Sequence, residues 1–571
     1  MTKRHIKNLG LFFVVSVVMI LPQINQHAVI LGIDSLFHLN RFYDAAMQIK
    51  TGNLQYFISM YGFFGSGRIV NAVYGPGIAY LNGMLLLLVG SWFKYQLLSD
   101  LFVSMLAAIS MYYLVNRAKI ASSLQPWLVI LYMTSNGVLV WLTDQEFLGW
   151  GTAILPIGIA VIVRLLQDDK PINILEMAFS VAIMVQMHML TAVIYVAILA
   201  VVFLIRMIQS PNRRWLMVRS TVLAAVFTIG LTANVWLGML EIFSSNYLMR
   251  PAQFVALDQV LLLTSSIGTH LSFFLKILFV IQVGYVLFFF DKVSRLNRYT
   301  TIIGGILVLM TTALLPWNWL FDYIPGLSIL QFPIRFIPFS TVFLILGAGL
   351  SLTQLIDVLG SRGSYRGLII KFLPFILMMI AGMSVLTVSD QVYVATQPWT
   401  KGEVVKNRTS VVFQDVPNEE LRQSFSSANP LGVPLDNVWK STPDYLPLPS
   451  GKIPAHPYYE YQLEIGDTRH AFTRTIRNGK MYVTWQQKKA RWQAVNVVKY
   501  AHTQLVLNKQ SLSNKDIKLS DIGVVRVYGQ TGKNVLQVQY QPQPFMRWGF
   551  IVLIVSWISW LGLAIYRHWK K

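Results

Sequence analysis

The chain has 571 residues, 54% of them hydrophobic and 13% charged, with a formal net charge of +22 and no cysteine. Lack of cysteine excludes disulfides, thiolate metal sites and cysteine nucleophiles. So basic a balance would point to nucleic acid in a soluble chain. Here the lysines and arginines stand in short stretches beside long apolar runs, so they read as topology signals and lipid-phosphate contacts, with no nucleic-acid partner.

Met1 to Asn8 followed by Leu9 to Leu21 has the charged-then-apolar form of a signal peptide. Pro22-Gln23-Ile24-Asn25 follows where a small-residue cleavage site would stand, so the segment reads as a retained first span. Further apolar segments of crossing length, roughly 17 to 25 residues, centre on 96–115, 124–142, 147–166, 215–240, 271–290, 300–316, 337–357, 366–388 and 547–566. Residues 173–207 exceed one span and carry a polar break at Gln186-Met187-His188, which predicts two short helices. Residues 74–93 are apolar but enter through Tyr74-Gly75-Pro76-Gly77, a helix-breaking start.

The basic stretches decide the ambiguous cases. Lys3 and Arg4, Arg117 and Lys119, Arg206 with Arg213 and Arg214, Lys292 with Arg295 and Arg298, Arg362 with Arg366, and Arg567 with Lys570 and Lys571 all reach one side if 74–93 does not cross and 173–207 crosses twice. The expected fold is a polytopic α-helical membrane protein of about twelve spans, both termini cytoplasmic. Asp34 to Tyr74, the Thr143-Asp144-Gln145-Glu146 loop and residues 389–546 then face outward. In the rival arrangement 74–93 crosses and 173–207 crosses once, which puts Arg117 and Lys119 outside and Asp144 inside.

Residues 389–546 differ in kind. Alternating runs such as Met481-Tyr482-Val483-Thr484-Trp485 and Val535-Leu536-Gln537-Val538-Gln539-Tyr540 predict a β-rich extracellular domain, a sandwich, after a proline-punctuated opening through Pro430, Pro434, Pro443, Pro447, Pro449 and Pro454. The expected parts are therefore 1–388, a transmembrane module with outer amphipathic helices in 26–95; 389–546, the β-rich domain; and 547–571, a final transmembrane helix with a basic cytoplasmic tail.

Chemistry concentrates in Gly32-Ile33-Asp34-Ser35-Leu36-Phe37-His38-Leu39-Asn40-Arg41. Asp34 and His38 are four apart and Arg41 three further, so a helix aligns them in one stripe that Gln48 continues. Leu36, Leu39, Tyr43 and Ala46 fall on another side, as in a helix lying at a membrane surface. Such a helix holds a general base at head-group depth. A sugar leaving a lipid phosphate needs one base, because phosphate already leaves well, whereas glycoside hydrolysis needs two carboxylates. Arg41, Arg68, Arg250 and Arg335 are the cations predicted near that side. The bland alternative is a surface stripe with local pairing.

Asp144 and Glu146 read either as a second site or as helix-end carboxylates. His188 reads as a ligand or as a packing histidine. Asp34, His38 and Asp144 or Glu146 are chemically suited to a hard divalent cation, Mg or Mn. In Gln331-Phe332-Pro333-Ile334-Arg335-Phe336, after Trp317-Asn318-Trp319, Arg335 either binds a phosphate or snorkels from an aromatic belt. Trp485, Trp492 and Tyr540 are sugar-stacking candidates or core.

Gly32-x-Asp34-x-x-x-His38-x-x-Arg41 after a first span, Tyr74-Gly75-Pro76-Gly77 opening an apolar helix, and a carboxylate at the next outer loop together resemble the GT-C superfamily of polyprenyl-phosphate-dependent glycosyltransferases. Gln331 to Phe336, Pro443-Asp444-Tyr445-Leu446-Pro447 and a late β-domain before a final span are similar to bacterial YfhO-type membrane proteins, including those labelled as 6-pyruvoyl-tetrahydropterin-synthase-related. The resemblance implies a GT-C-like fold and inverting transfer of a sugar from a polyprenyl-phosphate donor to a cell-envelope glycan or glycolipid at the outer face of the cell membrane. It implies Asp34 as base and Asp144 or Glu146 in metal or substrate binding. His38, Arg41, Arg335 and His188 are the further substrate-binding candidates read from the residues themselves. Many members carry two nearly adjacent acids in the first outer loop, whereas Asp34 stands between Ile33 and Ser35, with the next acid at Asp44. The alternatives are a lipid-linked substrate transporter or flippase and a non-catalytic envelope assembly protein. The spans carry few ionisable residues, with Lys276 and Glu176 near predicted ends, which favours surface chemistry over transport.

Overall fold

The computed structural model describes residues 3–167, 171–251, 260, 271–402, 404, 411–428 and 430–570, apart from 361–365. Arg362, expected in a basic loop, lies outside the described residues. The chain is mostly helical with a β-sheet domain toward its C-terminus, and it forms two compact units. The first comprises 1–30, 100–229 and 253–397; the second comprises 31–99, 230–252 and 398–571.

Among the described residues, eight helices are long and apolar enough to cross a membrane. A bent pair, Gln125–Met133 and Asn136–Asp144, turns by 42° and makes a ninth if it is one span. The helices Ile174–Met187 (14 residues), Phe273–Phe288 (16) and Arg295–Met310 (16) fall short of that length. The expected twelve spans map onto these eight, the bent pair and the three short helices. Residues 173–207 form two helices broken at His188, as predicted. The expected 215–240 span instead breaks at Thr232, giving Arg214–Leu231 and Ala233–Phe243. Residues 74–93 yield only Pro76–Val89, whose 14 residues span about 21 Å at 1.5 Å per residue, short of a bilayer core.

In the first unit a chain of hydrogen bonds gathers the basic stretches at one end. Arg4, at the start of α1 (Lys3–Gln26), donates to the Ser122 carbonyl at 2.9 Å and to Gln125 Oε1 at 2.7 Å. The Ala121 amide donates to Thr353 Oγ1 at 2.9 Å, and Gln354 Nε2 to the Lys292 carbonyl at 2.7 Å. Arg295 then bonds Gln209. Arg4, Arg117 and Lys119 therefore share an end, which the rival arrangement would separate. Helix direction then places the other candidates. Asp144 ends a helix pair that starts at Gln125, His188 begins a helix that ends at Gln209, and Arg335 precedes the helix carrying Thr353. All three lie at the opposite end of this unit, with Glu146.

The second unit opens with α2 (Ser35–Thr51) and α3 (Pro76–Val89). Gly75, in the left-handed region at φ 55, and Pro76 at the first helical turn make the helix-breaking entry the sequence predicts. The helices pack closely at Gly83, where a Cβ would come within 2.8 Å of the Ala46 nitrogen. Ten strands follow: β1 (Val412–Gln414), β2 (Val438–Lys440), β3 (Thr473–Arg477), β4 (Lys480–Gln487), β5 (Arg491–Val498), β6 (Thr503–Leu507), β7 (Gln510–Ser511), β8 (Ile517–Leu519), β9 (Val524–Gly529) and β10 (Gly532–Tyr540). β1 pairs with β2, and the rest form two antiparallel sheets, β3-β4-β10-β6-β7 and β5-β9-β8.

Inward residues alternate along β4 and β10, so Met481, Val483, Trp485, Leu536 and Val538 meet Val495, Val525 and Val527 of the other sheet in one core. That is the predicted sandwich. The core extends to Phe57, Ile58 and Ile69 of the loop after α2 and to Leu237 and Ile242. Trp485 and Tyr540 are core residues, while Trp492 is 39% exposed with Lys518 Nζ over its ring.

Candidate active site

Asp34 occupies the N-cap of α2, half-buried. The predicted stripe forms, but it does not face a membrane surface. His38, Arg41 and Gln48 are as buried as Leu36, Leu39 and Ala46, because the loop 55–75 covers them. Arg41 is fully buried. Its Nε donates to Asn71 Oδ1 at 3.0 Å, Nη1 meets His38 Nδ1 at 3.0 Å, Nη2 donates to the Tyr74 carbonyl, and its plane stacks over the Tyr74 ring. Burial lowers its pKa to about 10. Tight, multidentate use of a fork-shaped cation is positioning chemistry, and these bonds fasten α2 to the loop.

Three residues along, Asp44 does similar work. Its Oδ1 accepts the amides of Met60 and Tyr61 at 2.8 Å and of Gly62 at 3.1 Å, and Oδ2 accepts Gln48 Nε2 at 2.7 Å. Asn40 Oδ1 accepts the Phe63 amide at 2.7 Å. These bonds hold Phe63 and Phe64 at φ 52 and 61, left-handed conformations that are costly outside glycine. Burial pushes the Asp44 carboxyl up to about 6, against the pull of its four hydrogen bonds.

Sequence reasoning missed the residues that complete the site. Asp444, in the Pro443-Asp444-Tyr445-Leu446-Pro447 stretch, stands within electrostatic reach of Asp34. Burial pushes its carboxyl above the usual range; Arg68 opposes this, Asp34 adds to it, and Lys440 opposes it. Lys440, half-buried on β2, donates from Nζ to the Ile33 carbonyl at 2.9 Å, next to Asp34. Arg68 is fully buried, with Nη1 on the Thr442 carbonyl at 2.6 Å and Oγ1 at 3.0 Å and Nη2 on the Asp444 carbonyl. It anchors the loop and is not a surface cation.

The loop is pinned further. Met249 and Tyr445 exchange backbone bonds through the Met249 amide to the Leu446 carbonyl at 2.8 Å and the Tyr445 amide to the Met249 carbonyl at 2.9 Å, and Tyr500 Oη donates to the Tyr445 carbonyl at 3.0 Å. Tyr445 itself sits at φ 63. The result is two carboxylates and one accessible ammonium on a rigid frame: an arrangement able to accept one proton and to face one anionic group.

Asp144, Glu146, His188 and Arg335 belong to the first unit. Asp144 Oδ2 accepts Thr143 Oγ1 at 2.8 Å, and the Glu146 amide closes the turn on the Val140 carbonyl at 3.1 Å. His188 caps the Met189–Gln209 helix, its Nδ1 meeting Thr191 Oγ1 at 2.8 Å, and it lies within electrostatic reach of Arg335. Arg335 donates to Gln331 Oε1 at 2.6 Å and stacks over Phe332. Trp317 is buried against Phe336, and Trp319 is exposed. The exposed Arg250 stands in the second unit.

Asp100, which the sequence reading passed over, is fully buried on the Trp92–Arg117 helix, with neither carboxylate oxygen hydrogen-bonded among the described residues. Seventeen residues separate it from Arg117, roughly 26 Å along the helix, so it too lies far from the basic end. Among the described residues no group of three or more metal-ligating side chains stands within reach of one ion.

No family model and no curated protein matches the chain. Among solved structures it is similar to the crystal structure of the Archaeoglobus fulgidus oligosaccharyltransferase in the apo form, with 11% identity and a TM-score of 0.37 over 76% of this chain. The match spans 60% of the length of that chain. A likeness at that level decides neither family nor activity.

Proposed function

We propose that this protein is a GT-C-type inverting glycosyltransferase that moves a sugar from a polyprenyl-phosphate donor to a cell-envelope glycan or glycolipid at the outer face of the membrane. The observation that carries the reading is the Lys440 ammonium on the Ile33 carbonyl at 2.9 Å, beside Asp34 at the N-cap of a helix too polar to cross and with Asp444 within electrostatic reach, in a chain rich in helices apolar enough to do so. The sequence resemblance built on Asp34 supports it.

Burial and the Asp34 charge both raise the Asp444 carboxyl. Asp34, half-buried at the N-cap of α2, is taken as the base. Asp34 takes the proton of an acceptor hydroxyl. The hydroxyl oxygen forms a bond to the anomeric carbon as the bond from that carbon to the phosphate oxygen breaks. The electron pair leaves with the polyprenyl phosphate, and attack from the opposite face inverts the sugar. Lys440 faces the departing charge, while Arg41 and His38 position α2. No step is assigned to a metal.

Asp144, Glu146, His188 and Arg335 are proposed to bind substrate, each to be tested by its own substitution. The test of the whole is sugar transfer from a radiolabelled polyprenyl-phosphate sugar in membranes carrying Asp34→Asn. Loss of transfer is expected, and normal transfer would sink the mechanism.

A further inference from the structure

Away from the carboxylates, the second unit holds an open pocket of about 360 Å³ walled by the rings of Tyr43, Tyr61 and Phe64, edged by Thr51 and Asn53 and closed on one side by Arg474. The three rings are half-buried, so each shows part of its surface to solvent. The polar edge is built in advance. Thr51 Oγ1 and Tyr61 Oη lie 2.6 Å apart, Asn53 Nδ2 donates to them at 3.1 and 3.3 Å, and Asn53 Oδ1 accepts the Gly479 amide at 3.2 Å. Phe64 is held in its left-handed conformation by the Asp44 and Asn40 bonds to the same loop, so the wall is placed at a conformational cost. Arg474 spends its donors on the Gly65, Arg469 and Phe472 carbonyls and on Asn496, which makes it a rigid wall and a poor partner for an added anion.

Rings that offer faces beside a fixed hydroxyl and amide edge match one ligand chemistry best. A pyranose has an apolar C–H face and a rim of hydroxyls, and it uses both. A lipid tail has no use for the polar edge, and a phosphate needs an uncommitted cation. We propose that the pocket is a subsite for a neutral glycan, with sugar faces on Tyr43 and Tyr61 and hydroxyls on Thr51 and Asn53. That the glycan is the acceptor rests on the transferase reading; that the pocket binds sugar does not.

Both sites draw on α2, which Asp34 caps and which carries Tyr43 and Thr51. Tyr43 is nine residues beyond Asp34 and Thr51 seventeen, roughly 14 and 25 Å along the helix. A glycan that reaches both is longer than a monosaccharide, so the acceptor is an oligosaccharide or polymer whose far portion the pocket holds.

Isothermal titration of the full chain in detergent with cellobiose, lactose and chitobiose tests this. At least one is expected to bind saturably in the millimolar range, tenfold or more weakly to Tyr61→Ala, by a smaller factor to Tyr61→Phe, and equally well to Asp34→Asn. Thermal melting checks that the variants fold, and Tyr61→Phe with Asn53→Ala carries the test if Tyr61→Ala does not. No binding by any of the three sugars, or binding indifferent to these substitutions, overturns the proposal. If Asp34→Asn transfers sugar normally while Tyr61-dependent binding persists, the catalytic reading falls and the subsite stands.

Discussion

Arg335 and Arg41 were equal candidates for a phosphate contact, and they are held in different ways. Arg335 bonds Gln331, four positions away, in a short helical turn before a long helix. Arg41 bonds Asn71 and Tyr74, thirty and thirty-three positions away, and is fully buried. The contrast extends to their regions. Thr143 with Asp144 and His188 with Thr191 are bonds within one turn, whereas Arg68 reaches Thr442 and Lys440 reaches Ile33 across most of the chain. The fully buried Arg41 and Arg68 serve the frame, whereas the half-buried Lys440 keeps part of its surface open beside Asp34.

The largest test of that contrast is catalytic. Asp34→Asn should lower transfer by about 10² to 10⁴, the usual worth of a general base, and Asp144→Asn by about tenfold or less. Equal losses in membrane assays would erase the distinction between the regions. Next comes stability. Arg41→Ala leaves Asn71, His38 and the Tyr74 carbonyl without their partner in a buried site, a cost of about 3 to 5 kcal/mol. Arg335→Ala should cost under about 1 kcal/mol. Thermal melts of the two purified variants decide it, and an Arg41→Ala protein that melts with the parent would refute the anchoring role.

Asp44 sharpens the same point through pH. Its folded pKa of about 6 lies above the ordinary carboxylate value of 3.8, so between those pH values the unfolded chain ionises first. Stability from this group is full below about pH 4 and falls as pH rises through about 6, by an amount on the order of 3 kcal/mol. Asp44→Asn, which keeps an acceptor oxygen, should flatten that part of the melting profile between pH 4 and 7; an unchanged slope would assign it elsewhere. A further catalytic test is Lys440→Ala, which should lower kcat/KM about tenfold, a loss of about 1.4 kcal/mol, with little change in melting. A large melting shift would make Lys440 another anchor.

Much of the fold was legible before any coordinates. Helices at most of the apolar runs, the break at His188, the Gly75-Pro76 entry and the alternation of β4 and β10 appear where the sequence places them, because each depends on residues within a few positions. The break at Thr232 falls at Gly230-Leu231-Thr232-Ala233-Asn234, a polar interruption that the reading of 215–240 as one span passed over. The site was half legible. Asp34, His38 and Arg41 share a stripe by helical spacing alone, but spacing does not say what covers the stripe.

Periodicity and charge by themselves determined a helical chain with segments long and apolar enough to cross a membrane, a late β-domain and a polar stripe beginning at Asp34. Only tertiary structure decided that the stripe is buried, that Arg41 and Arg68 are anchors, and that Asp444 and Lys440 join Asp34. The reason is physical: a charge in a sequence has no dielectric until the fold surrounds it, and the groups around Asp34 come from segments some four hundred residues apart.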